Sequence, residues 1–122
     1  TQEGLNDPHT VLLGASFIAG HWHGDMPGLT DEAAVLAASK GCPCQIIRFS
    51  PKHYAFQAHL EFDRAAVGLL IAADGRENLA AQSRTQAYVQ HPDEIERFDF
   101  TQMNAKLFAF LDSLTESGQG GA

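Results

Sequence analysis

The stretch Tyr54-Ala55-Phe56-Gln57-Ala58-His59-Leu60-Glu61 constrains this chain more than any other. On an extended backbone Tyr54, Phe56, Ala58 and Leu60 share one side, and Gln57, His59 and Glu61 share the other. The alternation predicts a strand with one packed face. It also sets an imidazole and a carboxylate on the same side, about 6–7 Å apart along the strand. A histidine followed two residues later by an acid at a strand end can act as base and orienter. The carboxylate fixes the imidazole tautomer and stabilises its protonated form. The blander alternative is a strand-end histidine that packs or makes one hydrogen bond.

The neighbouring segments give this strand a partner. Gln45–Phe49 (QIIRF) reads as a second strand, and Ser50-Pro51-Lys52-His53 as the turn between the two. So short a connection predicts an antiparallel hairpin. Upstream, Thr1–Pro8 has the composition of a loop, ending in the turn signal Asn6-Asp7-Pro8. Val11–Ala15 is a short apolar run and Phe17–Trp22 a further strand. His21–Gly28 (HWHGDMPG) has loop composition, and Thr30-Asp31-Glu32 could cap a single turn. Ala33–Ser39 is strand or helix, which periodicity leaves open.

Downstream, Asp63–Asp74 is apolar on most sides and predicts a buried helix stopped by Gly75. Asn78–Gln90 is helix or loop. His91-Pro92 opens a short helix, with proline tolerated in its first turn. Met103, Leu107, Phe110, Leu111 and Leu114 follow the spacing of one buried helix face. An α/β unit with antiparallel strands first and two to three helices after them is therefore expected. One domain over residues 1–116 and a disordered tail over 117–122 (SGQGGA) complete the expectation.

Bulk properties narrow the function classes. At 122 residues, 44% hydrophobic and 19% charged, the chain can build one modest core. A net charge of -7, with Lys and Arg scattered, argues against a nucleic-acid surface. No apolar run reaches the roughly 18–20 residues of a membrane span. Cys42-Pro43-Cys44 is not a secreted disulfide framework, so a cytoplasmic setting is expected. The chain begins at Thr1 without a Met, as a processed or cut piece would.

Three segments together resemble a known family. His23-Gly24-Asp25, the Cys42-Pro43…Gln45 element and Tyr54–Glu61 occur in the order found in class I glutamine amidotransferase domains. The likeness is to the stand-alone type, similar to the amidotransferase domain of GMP synthase. The last segment corresponds to the family's G-x-Q-F-H-P-E signature, and the resemblance continues through the helix around Met103–Asp112. It covers nearly the whole chain but matches only the C-terminal half of such a flavodoxin-like domain. The resemblance implies glutamine as substrate and a Cys-His-Glu triad that releases glutamate and ammonia without a cofactor. It implies His59 as proton shuttle, Glu61 as its orienter, and His23, Gly24 and Asp25 as the loop that binds glutamine.

Two departures from the family pattern stand out. Leu60 replaces the usual proline, and the nucleophile is absent. The family's cysteine lies in a G-x-C-x-G elbow before a helix, whereas Cys42 and Cys44 precede a strand. A catalytic reading therefore needs a missing N-terminal half or partner subunit to bring the thiol. That segment, or a second copy of the chain, is also expected to cover an apolar sheet surface. The alternative reading is a non-catalytic amidotransferase-like module that binds a partner or metabolite. Two rival constellations carry less. His91-Pro92-Asp93-Glu94 imitates the H-P-E motif but lacks a preceding apolar strand and reads as a helix cap. His21, His23, Cys42, Cys44 and His59 offer zinc-type ligands at spacings tighter than the usual ones, so no metal is expected.

Overall fold

The computed structural model describes residues 1–119. It divides into two compact units, one of Thr1–Glu61 with the chain from Met103 onward, the other of Phe62–Gln102. The class is α/β, with antiparallel strands first and helices after them.

The first unit is built on a three-stranded antiparallel sheet of order β1-β2-β3, from Ala34–Ala37, Ile46–Ser50 and His53–Phe56. Ala33–Ser39 thus resolves as strand. The β2–β3 hairpin forms as the sequence implies, with Ser50 opposite His53 and the Ser50 hydroxyl 2.7 Å from His53 Nδ1. Ile46 and Ile47 are fully buried at the centre of the sheet. The third strand is shorter than the alternation predicts. Gln57 and Ala58 both direct their N–H groups to one carbonyl, that of Gln45 (2.9 and 3.4 Å), so the ladder ends there. The facing pattern survives the break: Ala58 and Leu60 are buried and Glu61 is exposed.

Thr1–Pro8 is not a loop. Gln2–Asn6 forms a short helix, α1, whose N-cap Thr1 accepts from the Gly4 N–H at 3.0 Å. The same hydroxyl lies within donating distance of the Val35 and Leu36 carbonyls, tying α1 to β1. Gly4 is required at this crossing, because a Cβ there would sit 2.0 Å from the Leu36 carbonyl oxygen. Val11–Ala15 contributes to a 3₁₀ turn, Thr10–Leu13, that buries Leu13. Phe17–Trp22 is not a strand either; Gly20 makes one isolated bridge to His59. With the β3 ladder already broken there, and glycine a poor strand former, the pairing does not propagate.

Asp7 is the polar centre of this unit, and its side chain is fully buried. Oδ1 accepts from the N–H groups of His9 and Thr10 at 3.0 and 2.9 Å. Oδ2 accepts from Arg48 Nη1 at 2.6 Å and from the Tyr54 hydroxyl at 3.0 Å. Burial alone would raise the Asp7 pKa, but the Thr10, His9, Tyr54 and Arg48 donors together hold it below its ordinary value. Burial, and next the hydrogen bond to Asp7, push Tyr54 up to about 12. His9, Tyr54, Phe56 and Phe110 stack edge-on around this centre, with ring centroids 5.1–6.3 Å apart. Phe110 comes from the last helix, Thr101–Gln119, whose Lys106 ammonium donates to the Leu13 carbonyl. Of the expected stripe on that helix Met103 and Phe110 are buried, while Leu111 is 44% exposed. The helix runs three residues into the expected tail, and residues 120–122 lie outside the described residues.

The second unit is helical. Numbered with α1, its helices are α2 (Arg64–Asp74), α3 (Arg76–Thr85) and α4 (Pro92–Arg97), and the last helix of the chain is α5. Among the described residues four helices therefore follow the sheet, one more than expected. Asp63 caps α2 by accepting from the Ala66 N–H, and Gly75 ends it at a positive φ of 88°. α2 is not apolar on most sides in effect. Val67 and Ile71 are buried, four residues apart, while Leu69 is 73% exposed. The rest of the helix is mainly alanine and glycine, apolar in kind but small in area. His91 is the N-cap of α4, as the helix-cap reading of His91–Glu94 requires. Arg76 bridges Asp93 and Glu96 on that helix.

Three variants check this description. Asp7→Ala strands Arg48 and leaves buried N–H groups unpaired, so urea unfolding should show a loss of about 3 kcal/mol. The Asp7 contribution exists above its ordinary, unfolded-state pKa and is lost as pH falls through the lower folded value. The Tyr54 contribution is complete below about 10 and lost as pH rises toward about 12. The phenolate absorbance of the parent minus that of Tyr54→Phe should therefore titrate near 12. Gly4→Ala should cost about 3 kcal/mol by driving a methyl group into the Leu36 carbonyl.

Candidate active site

His59 and Glu61 meet as the alternation predicts, with His59 Nδ1 2.6 Å from Glu61 Oε1. Three contacts within the first unit fix the backbone that carries them. His59 N–H donates to the Gly20 carbonyl and Gly20 N–H to the His59 carbonyl, both at 2.8 Å. Asn104 on α5 donates from Nδ2 to the Leu60 carbonyl at 2.7 Å. Leu60 is buried, which anchors the residue between the two polar side chains. The side chains of His59 and Glu61 remain 34% and 58% exposed. Partial burial would raise the Glu61 pKa, but the hydrogen bond from His59, with backbone donors, holds it below the ordinary carboxylate value. Glu61 is therefore ionised at neutral pH and engages Nδ1, which directs the chemistry of the ring to Nε2.

The His23-Gly24-Asp25 loop lies beside this strand. Its side chains are exposed, and no protein atom lies within 4 Å of where a Gly24 Cβ would stand. The loop is held through the Asp25 carbonyl, which takes His23 Nδ1 at 2.9 Å and Gln57 Nε2 at 2.7 Å. His21 sits at its start, with its ring 5.6 Å from that of His23. Loss of hydration, then the neighbouring His23 and His59, push the His21 pKa down. Among the described residues no three of His, Cys, Asp and Glu are grouped to hold a metal ion.

Cys42 and Cys44 are free thiols, the first buried and held by the Ser39 hydroxyl at its N–H. Both precede β2, so neither stands at a helix N-terminus. Two glutamines that the sequence reading names without a role of their own hold this region together. Gln45 donates to Ser39 Oγ at 2.9 Å and lies 3.4 Å from His21 Nε2, while its carbonyl holds Gln57 and Ala58. Gln57 holds the loop. The available signal was its place in the alternation, on the same side as His59 and Glu61. His91, by contrast, is occupied as a cap in the second unit.

The chain is similar to a glutamine amidotransferase-like protein. Over 115 residues, 94% of this chain, it is 44% identical to the Salmonella typhimurium (strain LT2) glutamine amidotransferase-like protein YfeJ. The crystal structure of SMU.1228c superposes with a TM-score of 0.87 at 51% identity, again over 94% of this chain. The chain spans about half the length of these relatives, 47% and 48%. No family model matches. No helix among the described residues is long and apolar enough to cross a membrane.

If the His59 hydrogen bond is what lowers Glu61, removing it should leave burial dominant. In a carboxyl-carbon NMR titration, Glu61 of the parent should titrate below the ordinary glutamate value. His59→Ala should move it upward, and an unchanged midpoint would show that the backbone donors alone set it.

Proposed function

We propose that this chain carries the histidine–glutamate part of a class I glutamine amidotransferase site, as the C-terminal half of that domain. The observation that carries the proposal is the 2.6 Å His59–Glu61 pair beside the His23-Gly24-Asp25 loop, in a chain 44% identical to a protein named amidotransferase-like. In this reading a cysteine from outside residues 1–122 attacks the side-chain amide carbon of glutamine, with its thiol proton passing to His59 Nε2. The tetrahedral intermediate collapses as His59 returns that proton to the departing nitrogen. Ammonia leaves and a γ-glutamyl thioester remains, which water cleaves to glutamate with the same histidine as base. Glu61 holds the ring and stabilises the imidazolium, and the loop of His23, Gly24 and Asp25 receives the α-amino and α-carboxylate groups of glutamine.

The location of Cys42 and Cys44 before a strand favours a thiol from elsewhere. Ile18, 66% exposed, and Met26 and Leu29, both more than half exposed, are apolar side chains that the segment bringing it could cover. The 122-residue chain should therefore release no ammonia from glutamine. In the full-length gene product His59→Ala should lower turnover by about 10³ or more, as for other nucleophile–base units. Glu61→Gln should lower it clearly but less, and His91→Ala should leave it unchanged. The readout is ammonia release at saturating glutamine. Loss with His91→Ala and none with His59→Ala would refute the assignment, and a full-length protein inert toward glutamine would favour the non-catalytic module.

A further inference from the structure

We infer that Gln57 is a positioning residue that latches the His23–Asp25 loop to the strand bearing His59 and thereby sets the affinity for the amino-acid substrate. The second part rests on the proposed amidotransferase reading; the first does not. The stretch Gly20–Asp25 is held at both ends, and between them His21 Nε2 lies 3.4 Å from Gln45 Nε2. At its start the reciprocal Gly20–His59 bonds, 2.8 Å each, join backbone to backbone. At its far end the joining contact is Gln57 Nε2 to the Asp25 carbonyl at 2.7 Å, across 32 residues of sequence. The His23 bond to that same carbonyl is internal to the loop and cannot tie it to the strand. Between the two places, Gly24 presents open space where a side chain would pack.

Gln57 is itself held by its own N–H, which donates to the Gln45 carbonyl at 2.9 Å, so the latch starts from the sheet. The contact requires a donor on a side chain of this length. Methionine has the length without the donor, and glutamate would set a carboxylate against a carbonyl. Because Gln57 and His59 stand two residues apart on one side of the chain, the latch joins the loop to the strand segment that carries the imidazole. A bound glutamine would be held by the first and worked on by the second.

Trp22, the one tryptophan of the chain, immediately precedes the His23–Asp25 loop and reports on it. In the 122-residue protein Gln57→Met and Gln57→Glu should increase acrylamide quenching of Trp22 and lower its anisotropy, with far-UV circular dichroism unchanged. Gln57→Lys, which restores a donor, should return both toward the parent. Parent-like quenching in a folded Gln57→Met protein would overturn the latch, since a packing role survives that exchange. In the full-length gene product Gln57→Met should raise the KM for glutamine about tenfold, the scale of one hydrogen bond, with kcat within about twofold. A loosened Trp22 with an unchanged KM would overturn the link to affinity. A parent inert toward glutamine would remove that link together with the amidotransferase reading, while the Trp22 measurement still judges the latch.

Discussion

A fully buried carboxylate, Asp7, is the constraint on which the first unit depends. An ionised group without water must be paired on all sides or it unfolds what surrounds it. Asp7 meets that demand with backbone donors from His9 and Thr10, the Arg48 guanidinium of β2 and the Tyr54 hydroxyl of β3. The N-terminal ten residues, which carry no strand, are thereby tied to the middle and the edge of the sheet. The same turn places His9 against Tyr54 and Phe110, with its Nδ1 2.8 Å from Ser113 Oγ, so α5 is docked through the same centre. A hydrophobic face alone would permit several rotations of α1 and α5 against the sheet. The directional bonds to Asp7 and His9 permit far fewer.

That anchoring reaches the candidate site through backbone geometry. Tyr54, the second residue of β3, is held by Asp7, and the strand can run regularly only while β2 offers matching groups. Gln45, just before β2, supplies a single carbonyl to two successive N–H groups, and the regular ladder stops. Beyond that point the His59 backbone pairs with Gly20, which draws the His23-Gly24-Asp25 loop alongside. The break in the strand is therefore what brings loop and imidazole together. An unbroken strand through Glu61 would have spent the backbone of His59 on regular pairing.

The legible and illegible parts of this arrangement differ in physical kind. Period-two alternation located the hairpin, the buried positions Ala58 and Leu60, and the shared side of His59 and Glu61, because these follow from local geometry. The cap at His91 and the stop at Gly75 were legible for the same reason, each needing only its neighbours in sequence. What escaped depended on partners far along the chain. Asn6-Asp7-Pro8 has the composition of an exposed turn, and nothing local says that Asp7 faces Arg48, 41 residues away. Thr1–Pro8 is too polar to read as a helix, yet Thr1 caps one against the β1 carbonyls. Asp63–Asp74 misled in the opposite direction, since counting apolar residues overstates burial when half of them are alanine. Gln57 was placed on the correct side, but its acceptor is a backbone carbonyl, which has no sequence signature.

The exposure of the His59–Glu61 pair argues about its purpose. A hydrogen-bonded pair with more than half of its carboxylate in water contributes little to stability. Asp7, which does hold the fold, is by contrast completely enclosed. The molecule thus keeps two kinds of carboxylate, one buried for structure and one left at the surface with its imidazole already oriented. On the proposed reading the segment that brings the cysteine would also cover this surface. Covering it would lower the local dielectric and strengthen the attraction between Glu61 and the imidazolium as that charge forms. The dyad as it stands in this chain is oriented but weakly coupled. Enclosure would turn that orientation into catalytic advantage, so the thiol and the dry environment it needs would arrive in one step.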